Sequence, residues 1–218
     1  MVSQQGWLDE GLEVLAASGL PGLRVETLAR RLGVTKGSFY HHFVDLGDYR
    51  RALLGHYEET CTRAHLEANA APDGLPPLVR LSRLADTVTY LETVHSGLEL
   101  ALRVWAAQDD DARQTMTRVD QIRTGYLEEL LAETLGDPEA AHTLALTIYY
   151  VHIGAQQAQP PATPDEVRRL YRSLLDQIAS AAGLATPVLT SQRPATRDLA
   201  TPDPATPGPT PTDPVGAR

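Results

Sequence analysis

One cysteine in the whole chain, Cys61, excludes an intramolecular disulfide framework and leaves too few thiols for a cysteine-rich zinc site. No apolar run approaches the roughly 18 residues that a membrane-spanning helix needs. The first residues, Met1-Val-Ser-Gln-Gln-Gly-Trp-Leu-Asp-Glu10, lack the basic start and apolar stretch of a secretory signal. A cytoplasmic protein with no membrane association is the expectation. Alternating β-branched runs and Asn-Gly turns are missing too, so no strand is predicted. Also missing are a Gly-x-Ser-x-Gly nucleophile turn, a glycine-rich phosphate loop and a His-Glu-x-x-His zinc helix. The carboxylates are spaced like solvated helix faces. No enzyme, no cofactor and no metal site are expected. Lysine is nearly absent as well: Lys36 is the only one.

What is present is helical. Hydrophobic residues make up 42% of the chain, enough for a core. Leu8, Leu12, Leu15 and Ala16 repeat at helical spacing, and Ser18-Gly19 with Pro21 stops that helix. Val25, Leu28, Ala29 and Leu32 face one side of a second helix that ends at Gly33. Thr35 is placed to cap a third helix ending near Phe43, and Asp45 a fourth running to about Asn69. Further helices are predicted at about 77–94, 96–107, 110–135, 138–158 and 164–182. The fold class is therefore all-α with about nine helices. Three regions follow: a three-helix head at 1–46, a helical body at 47–183, and a tail at 184–218. From Thr186 the tail holds eight of the chain's 16 prolines, and it is expected to be disordered.

The net charge of −9 is unevenly spread. Residues 1–51 carry six acids and six cations, whereas 52–183 carry nineteen acids against ten arginines. A neutral-to-basic head on an acidic body orients a protein toward DNA and repels DNA elsewhere. Within the head, helices two and three have helix-turn-helix grammar. Ala29 allows close approach, Gly33 tolerates the left-handed backbone of a tight turn, and Val34 and Phe39 plug the wedge. Thr35, Lys36, Gly37, Ser38, Tyr40 and His41 are left on or near the outer face. His42 is expected to pack or cap internally.

The segment Leu28-Ala-Arg-Arg-Leu-Gly-Val-Thr-Lys-Gly-Ser-Phe-Tyr-His-His-Phe43 closely resembles the DNA-binding region of TetR-family transcriptional regulators. The resemblance is strong over about 7–55 and architectural beyond. Leu102-Arg-Val-Trp-Ala106 and Val119-Asp-Gln-Ile-Arg123 are similar to segments of actinobacterial-type members. It implies that Thr35, Lys36 and Ser38 touch bases or nearby backbone and that Tyr40 and His41 bind phosphate, with Gly37 beside them. Three positions depart from the family pattern. Leu46 stands where a lysine usually opens helix four, Arg24 where a threonine caps helix two, and Glu26 where a basic side chain often faces DNA.

The resemblance further implies a double-stranded operator as partner and a homodimer formed through 138–157 and 164–182. The first segment offers Ala141, Leu144, Ala145, Ile148, Tyr149, Ile153 and Gly154, the second Val167, Leu170, Leu174 and Ile178. It implies a small organic effector as well, in a body cavity drawn from Tyr90, His95, Arg103, Trp105, Met116, Arg123, Tyr126, Tyr149, Tyr150 and His152. Each has a blander reading: Trp105 as core, and Asp120 with Arg123 as a local ion pair. The function expected is a sequence-specific regulator, a repressor released by its ligand. Two alternatives are a regulator switched by a protein partner or by Cys61 oxidation, and a helical scaffold whose helix-turn-helix is degenerate.

Overall fold

The computed structural model describes residues 2–70, 74–94 and 97–187. Every regular element among them is helical: α1 (Gln4–Ser18), α2 (Val25–Arg31), α3 (Lys36–Tyr40), α4 (Leu46–Glu58), α5 (Ala64–Ala70), α6 (Pro77–Val94), α7 (Leu98–Ala106), α8 (Asp110–Leu135), α9 (Pro138–Gln157) and α10 (Pro164–Ala181). A short 3₁₀ turn, Leu20–Gly22, follows α1. The expected fourth helix runs on to Ala70, but a π-helical turn at Glu59–Arg63 joins α4 to α5. Counted as one rod, α4–α5 leaves nine helices among the described residues, which is the expected all-α architecture. The tail lies outside the described residues from 188 on, and 184–187 carry no regular structure.

Helix starts follow the caps written in the sequence. The side chains of Asp45, Asp109, Asp137 and Thr163 each accept a backbone N–H of the first turn they open, and Thr163 with Glu166 forms a full capping box. Thr35 has the extended backbone of a cap but makes no side-chain bond, so its hydroxyl is not used by the helix it precedes. Gly33 sits between α2 and α3 at φ +66°, the left-handed conformation that the tight turn requires.

Two apolar cores are stacked along the molecule. The first holds the head together around Trp7, Phe39, Phe43 and Tyr49, with Phe39 in ring contact with the other three at 5.1–5.4 Å. It continues past the head into Leu98, Leu102, Trp105, Met116 and Val119 of α7 and α8. The second lies among α6, α8, α9 and α10 and includes Leu81, Leu127, Leu131, Ala145, Ile148 and Ile178. This arrangement corrects the expected dimer stripe. Ala141, Ala145, Ile148, Tyr149, Val167 and Ile178 are all buried within their own protomer, because α9 and α10 turn those faces toward α6 and α8. Of the residues named for the stripe, Leu170 at 44% and Gly154 are exposed.

Tyr49 buries its ring in the head core and donates its hydroxyl to the Trp7 carbonyl at 2.8 Å. It passes so close to α1 that a Cβ on Gly11 would lie 2.0 Å from the Tyr49 oxygen. Gly55, on the same α4, has open space around it. Gly11→Ala is expected to cost about 1–3 kcal/mol through overpacking, and Gly55→Ala to add about 0.5–1 kcal/mol through helix propensity. Urea denaturation of both variants checks the pair, and a neutral Gly11→Ala would mean that α1 and α4 do not pack this closely.

Candidate functional site

Two places gather chemistry: the outer face of the head and a cavity in the body. On the head, Phe39 is fully buried, which rolls the rest of α3 outward. Thr35, Lys36, Gly37, Tyr40 and His41 are exposed, and Ser38 is half-buried beside them. The expected face is thus assembled on one surface, with Tyr40 59% exposed despite its edge contact with Phe39. His42 turns inward and hydrogen-bonds the Val2 carbonyl at 3.0 Å, as expected.

Glu26, the departure that would repel phosphate, is tied to Lys36 at 2.5 Å. The hydrogen bond from Lys36 leads the causes that hold the Glu26 carboxyl below its ordinary value. Sequence reading missed this pair, because α2 and α3 bring together residues ten apart. Leu46 explains another departure, since its side chain packs against the head core. Arg31 pairs with Glu10 of α1, and Arg51 lies 3.8 Å from Asp48.

The body cavity has a volume of about 500 Å³. Its wall takes Arg123, Tyr149 and His152 from the expected set. Trp105 and Met116 lie off the wall in the first core, which is the bland reading of Trp105. Tyr126 is also off the wall, bonding Asn69 and Arg80, while Tyr90 does not line it and Tyr150 is 65% exposed on α9. His95 lies outside the described residues. Arg103 stands one layer behind. Its α6 and α10 sides are mainly aliphatic, with Leu81, Leu84, Val88 and Leu91 from α6 and Leu174, Leu175 and Ile178 from α10. The search for aromatic and polar residues overlooked these because a leucine stripe reads as plain core.

The polar end is a charge network across four helices. Arg123 donates to both Glu99 oxygens at 3.1 and 3.2 Å, to the Tyr57 hydroxyl at 3.0 Å and to Thr62 at 3.3 Å. Tyr57 in turn donates to Glu99. Arg103 donates to Glu99 at 2.8 Å, to Asp120 at 2.9 Å and to the Tyr149 hydroxyl at 3.2 Å. Tyr149 closes the set by donating to Asp120 at 2.6 Å. The local Asp120–Arg123 pair is therefore not what forms: each reaches a partner on another helix, where burial makes a well-matched charge worth more. Burial opposes ionisation of Glu99, but the Arg123 and Arg103 guanidiniums and the Tyr57 hydroxyl outweigh it and bring its pKa to about 2. Burial pushes Tyr57 and Tyr149 above the ordinary phenol range.

Cys61 and Thr62 of the π-helical turn also line the cavity. Burial pushes the Cys61 thiol up to about 11, so little thiolate is present near neutrality. The same rod reaches the head, since α4 buries Tyr49, Leu53 and Leu54 in the first core and Tyr57 at the cavity.

With this geometry in place, comparison with known proteins decides the head. The family described as "Bacterial regulatory proteins, tetR family" matches residues 8–45. Over those residues the head is similar to a TetR-family helix-turn-helix. The chain is 34% identical over 96 residues to the uncharacterized HTH-type transcriptional regulator TtgW of Pseudomonas putida, covering 43% of this chain and 64% of that protein. It thus spans less than two thirds of that curated relative. Two solved structures share the whole fold: a transcriptional regulator from Rhodococcus sp. Rha1, with TM-score 0.67, 20% identity, and 84% of this chain and 100% of that one covered; and a TetR-like regulator from Rhodococcus sp. RHA1, with TM-score 0.63, 18% identity, and 81% and 95% covered. The fold is a TetR-type head on a helical body.

Glu99 gives this site a pH signature. Its folded pKa is depressed from 4.5 to about 2, so its stabilising contribution is complete above about 4.5 and is lost as pH falls toward 2. Glu99→Gln should remove a few kcal/mol at pH 7 and flatten the acid limb of stability between those values. Denaturant midpoints measured from pH 2 to 7 check this, and an unchanged acid limb would deny the network its buried carboxylate.

Proposed function

We propose that this protein is a sequence-specific DNA-binding regulator of the TetR family, of the actinobacterial type, that acts as a repressor and leaves its operator when a small organic ligand enters the body cavity. One observation carries the reading. The residues that a TetR head offers to DNA share an exposed face, while the α4–α5 rod behind that face ends in the cavity wall. Lys36 supplies the cation, and Tyr40 and His41 reach toward phosphate. A ligand against Arg123 would press on the atoms that hold Tyr57, so strain in the cavity would tilt α4 and the recognition helix with it. Sensing by Cys61 oxidation is the weaker reading, because its thiol is suppressed by burial.

Paired half-sites call for two recognition helices, so the regulator would act as a homodimer. The faces available for pairing are the outward ones. On α9 these present Thr143, Thr147, Tyr150 and Gly154, and on α10 Leu170, Ser173 and Gln177. Tyr150 and Leu170 are the large apolar members, at 65% and 44% exposure. Replacing both by glutamate should yield a monomer in sedimentation experiments, whereas a persistent dimer would place the interface elsewhere.

Duplexes selected from a random pool test DNA binding, palindromy and half-site spacing together. On a selected duplex, Lys36→Ala should reduce the slope of log affinity against log salt by about one per head. Tyr40→Phe should weaken all duplexes about equally. On duplexes of random sequence, Glu26→Gln should strengthen binding and steepen the salt slope by releasing Lys36. Gel-shift titrations in which none of the three changes alters affinity would reassign the DNA face.

A further inference from the structure

The polarity of the cavity points to the chemistry of its occupant, and this rests on the reading of the body as an effector site. The walls are divided by element. From α6 the lining is aliphatic except for Thr87, and Leu174, Leu175 and Ile178 of α10 continue that side. No Trp or Phe is among the described lining residues. The three tyrosines there have their hydroxyls engaged: Tyr57 with Glu99, Tyr149 with Asp120, and Tyr171 with His152 at 3.0 Å. The surface therefore favours a flexible or alicyclic hydrocarbon over a stacked aromatic plane.

The other side settles the charge. Among the described residues, Glu99 and Arg123 are the only Asp, Glu, Lys or Arg on the wall, beside the histidines His65 and His152, and Glu99 and Arg123 are bonded to each other. Behind them Arg103 bridges Glu99 and Asp120. Two guanidiniums thus meet two carboxylates, and the formal charge of the group is zero. A ligand carboxylate would enter as a third anion beside Glu99, and an ammonium as a third cation beside Arg123. Either would leave water without a counter-charge from that balanced group, a cost that apolar contact on the α6 side does not offset. An uncharged hydroxyl or carbonyl has no such cost and can exchange hydrogen bonds at the rim of the network.

We infer that the cavity takes an uncharged, mainly aliphatic molecule with a single alcohol or carbonyl group, and that it discriminates against alkyl carboxylates and alkylammonium ions of the same length. The preference is a property of the Glu99–Arg123–Arg103–Asp120 balance. Changing one member should change the sign of ligand that is accepted.

The test is calorimetric titration of the full chain at pH 7 with octan-1-ol, octanoate and octylammonium, whose tails are identical. Octan-1-ol should bind at least about tenfold tighter than either ion. The inference is overturned if an ion binds as tightly as the alcohol, or if none of the three binds at millimolar concentration. Glu99→Gln leaves the two arginines with one carboxylate, so octanoate should gain about tenfold relative to octan-1-ol. No gain for octanoate in a folded Glu99→Gln protein would also overturn it, and the series on the unaltered protein decides the matter if that variant does not fold. Release of a selected duplex by octan-1-ol is measured separately. Binding of the alcohol without release supports the cavity chemistry and tells against the effector reading alone.

Discussion

A carboxylate buried between two guanidiniums is the constraint on which the rest of this body depends. Glu99 lies on α7, its two arginines on α7 and α8, the tyrosine that donates to it on α4, and the tyrosine bonded to Arg103 on α9. Taking these charges from water is expensive, and they repay it only when every partner is in place. The group therefore has one low-energy arrangement, and that arrangement fixes how four helices meet. It also forms the polar end of the cavity. The atoms that hold the body together also line the polar end of the cavity, so under the proposed function occupancy and helix placement would be linked.

The π-helical turn makes that dependence directional. A straight continuation of α4 would carry its buried face on at the ordinary helical pitch. The extra residue in the turn re-aims the rod, so that Tyr49, Leu53 and Leu54 face the head core while Cys61, Thr62, His65 and Leu66 face the cavity. Thr60 donates its hydroxyl to the His56 carbonyl at 2.6 Å, a side-chain bond that competes with the helix ladder where the pitch changes. Glu58, just before the turn, is clamped by Arg63 and by Arg118 of α8. The rod is thus anchored to α8 at its midpoint, with the head on one side of the anchor and the cavity on the other.

Local rules made much of this legible in advance. The cap at Asp45 and the turn at Gly33 depend on neighbours within a few residues, so they can be read along the chain. The head face was legible for the same reason: Phe39 must go inward, which sends Lys36, Tyr40 and His41 outward. What escaped was set by rotation about helix axes. Asp120 and Arg123 are three apart and look like a pair, yet they point to Arg103 and Glu99 on a neighbouring helix. Ala145, Ile148 and Val167 looked like an interface stripe because a stripe carries no label saying whether its partner is another copy or the same chain. Trp105 and Met116 looked like ligand contacts because size and polarity do not reveal which core a helix face joins. The aliphatic cavity wall was hidden in the same way.

The exposed face of α3 carries little charge, and that charge is paired. Its single lysine stands on α3 and is held by Glu26 across the turn, so the exposed face carries a neutralised cation. An exposed pair of this kind is worth about 0–1 kcal/mol and is screened by salt. Under the proposed function DNA would displace it at small cost, but only when phosphate or a base acceptor takes over Lys36 and Glu26 is left somewhere tolerable. Random contact with a polyanion offers the first and not the second, because the freed carboxylate would face phosphate. A site that gives Glu26 a donor, such as the amino group of a cytosine, satisfies both. Under the proposed function the same carboxylate would weaken general affinity and sharpen discrimination, and the acidic body would add to the resistance against non-specific binding.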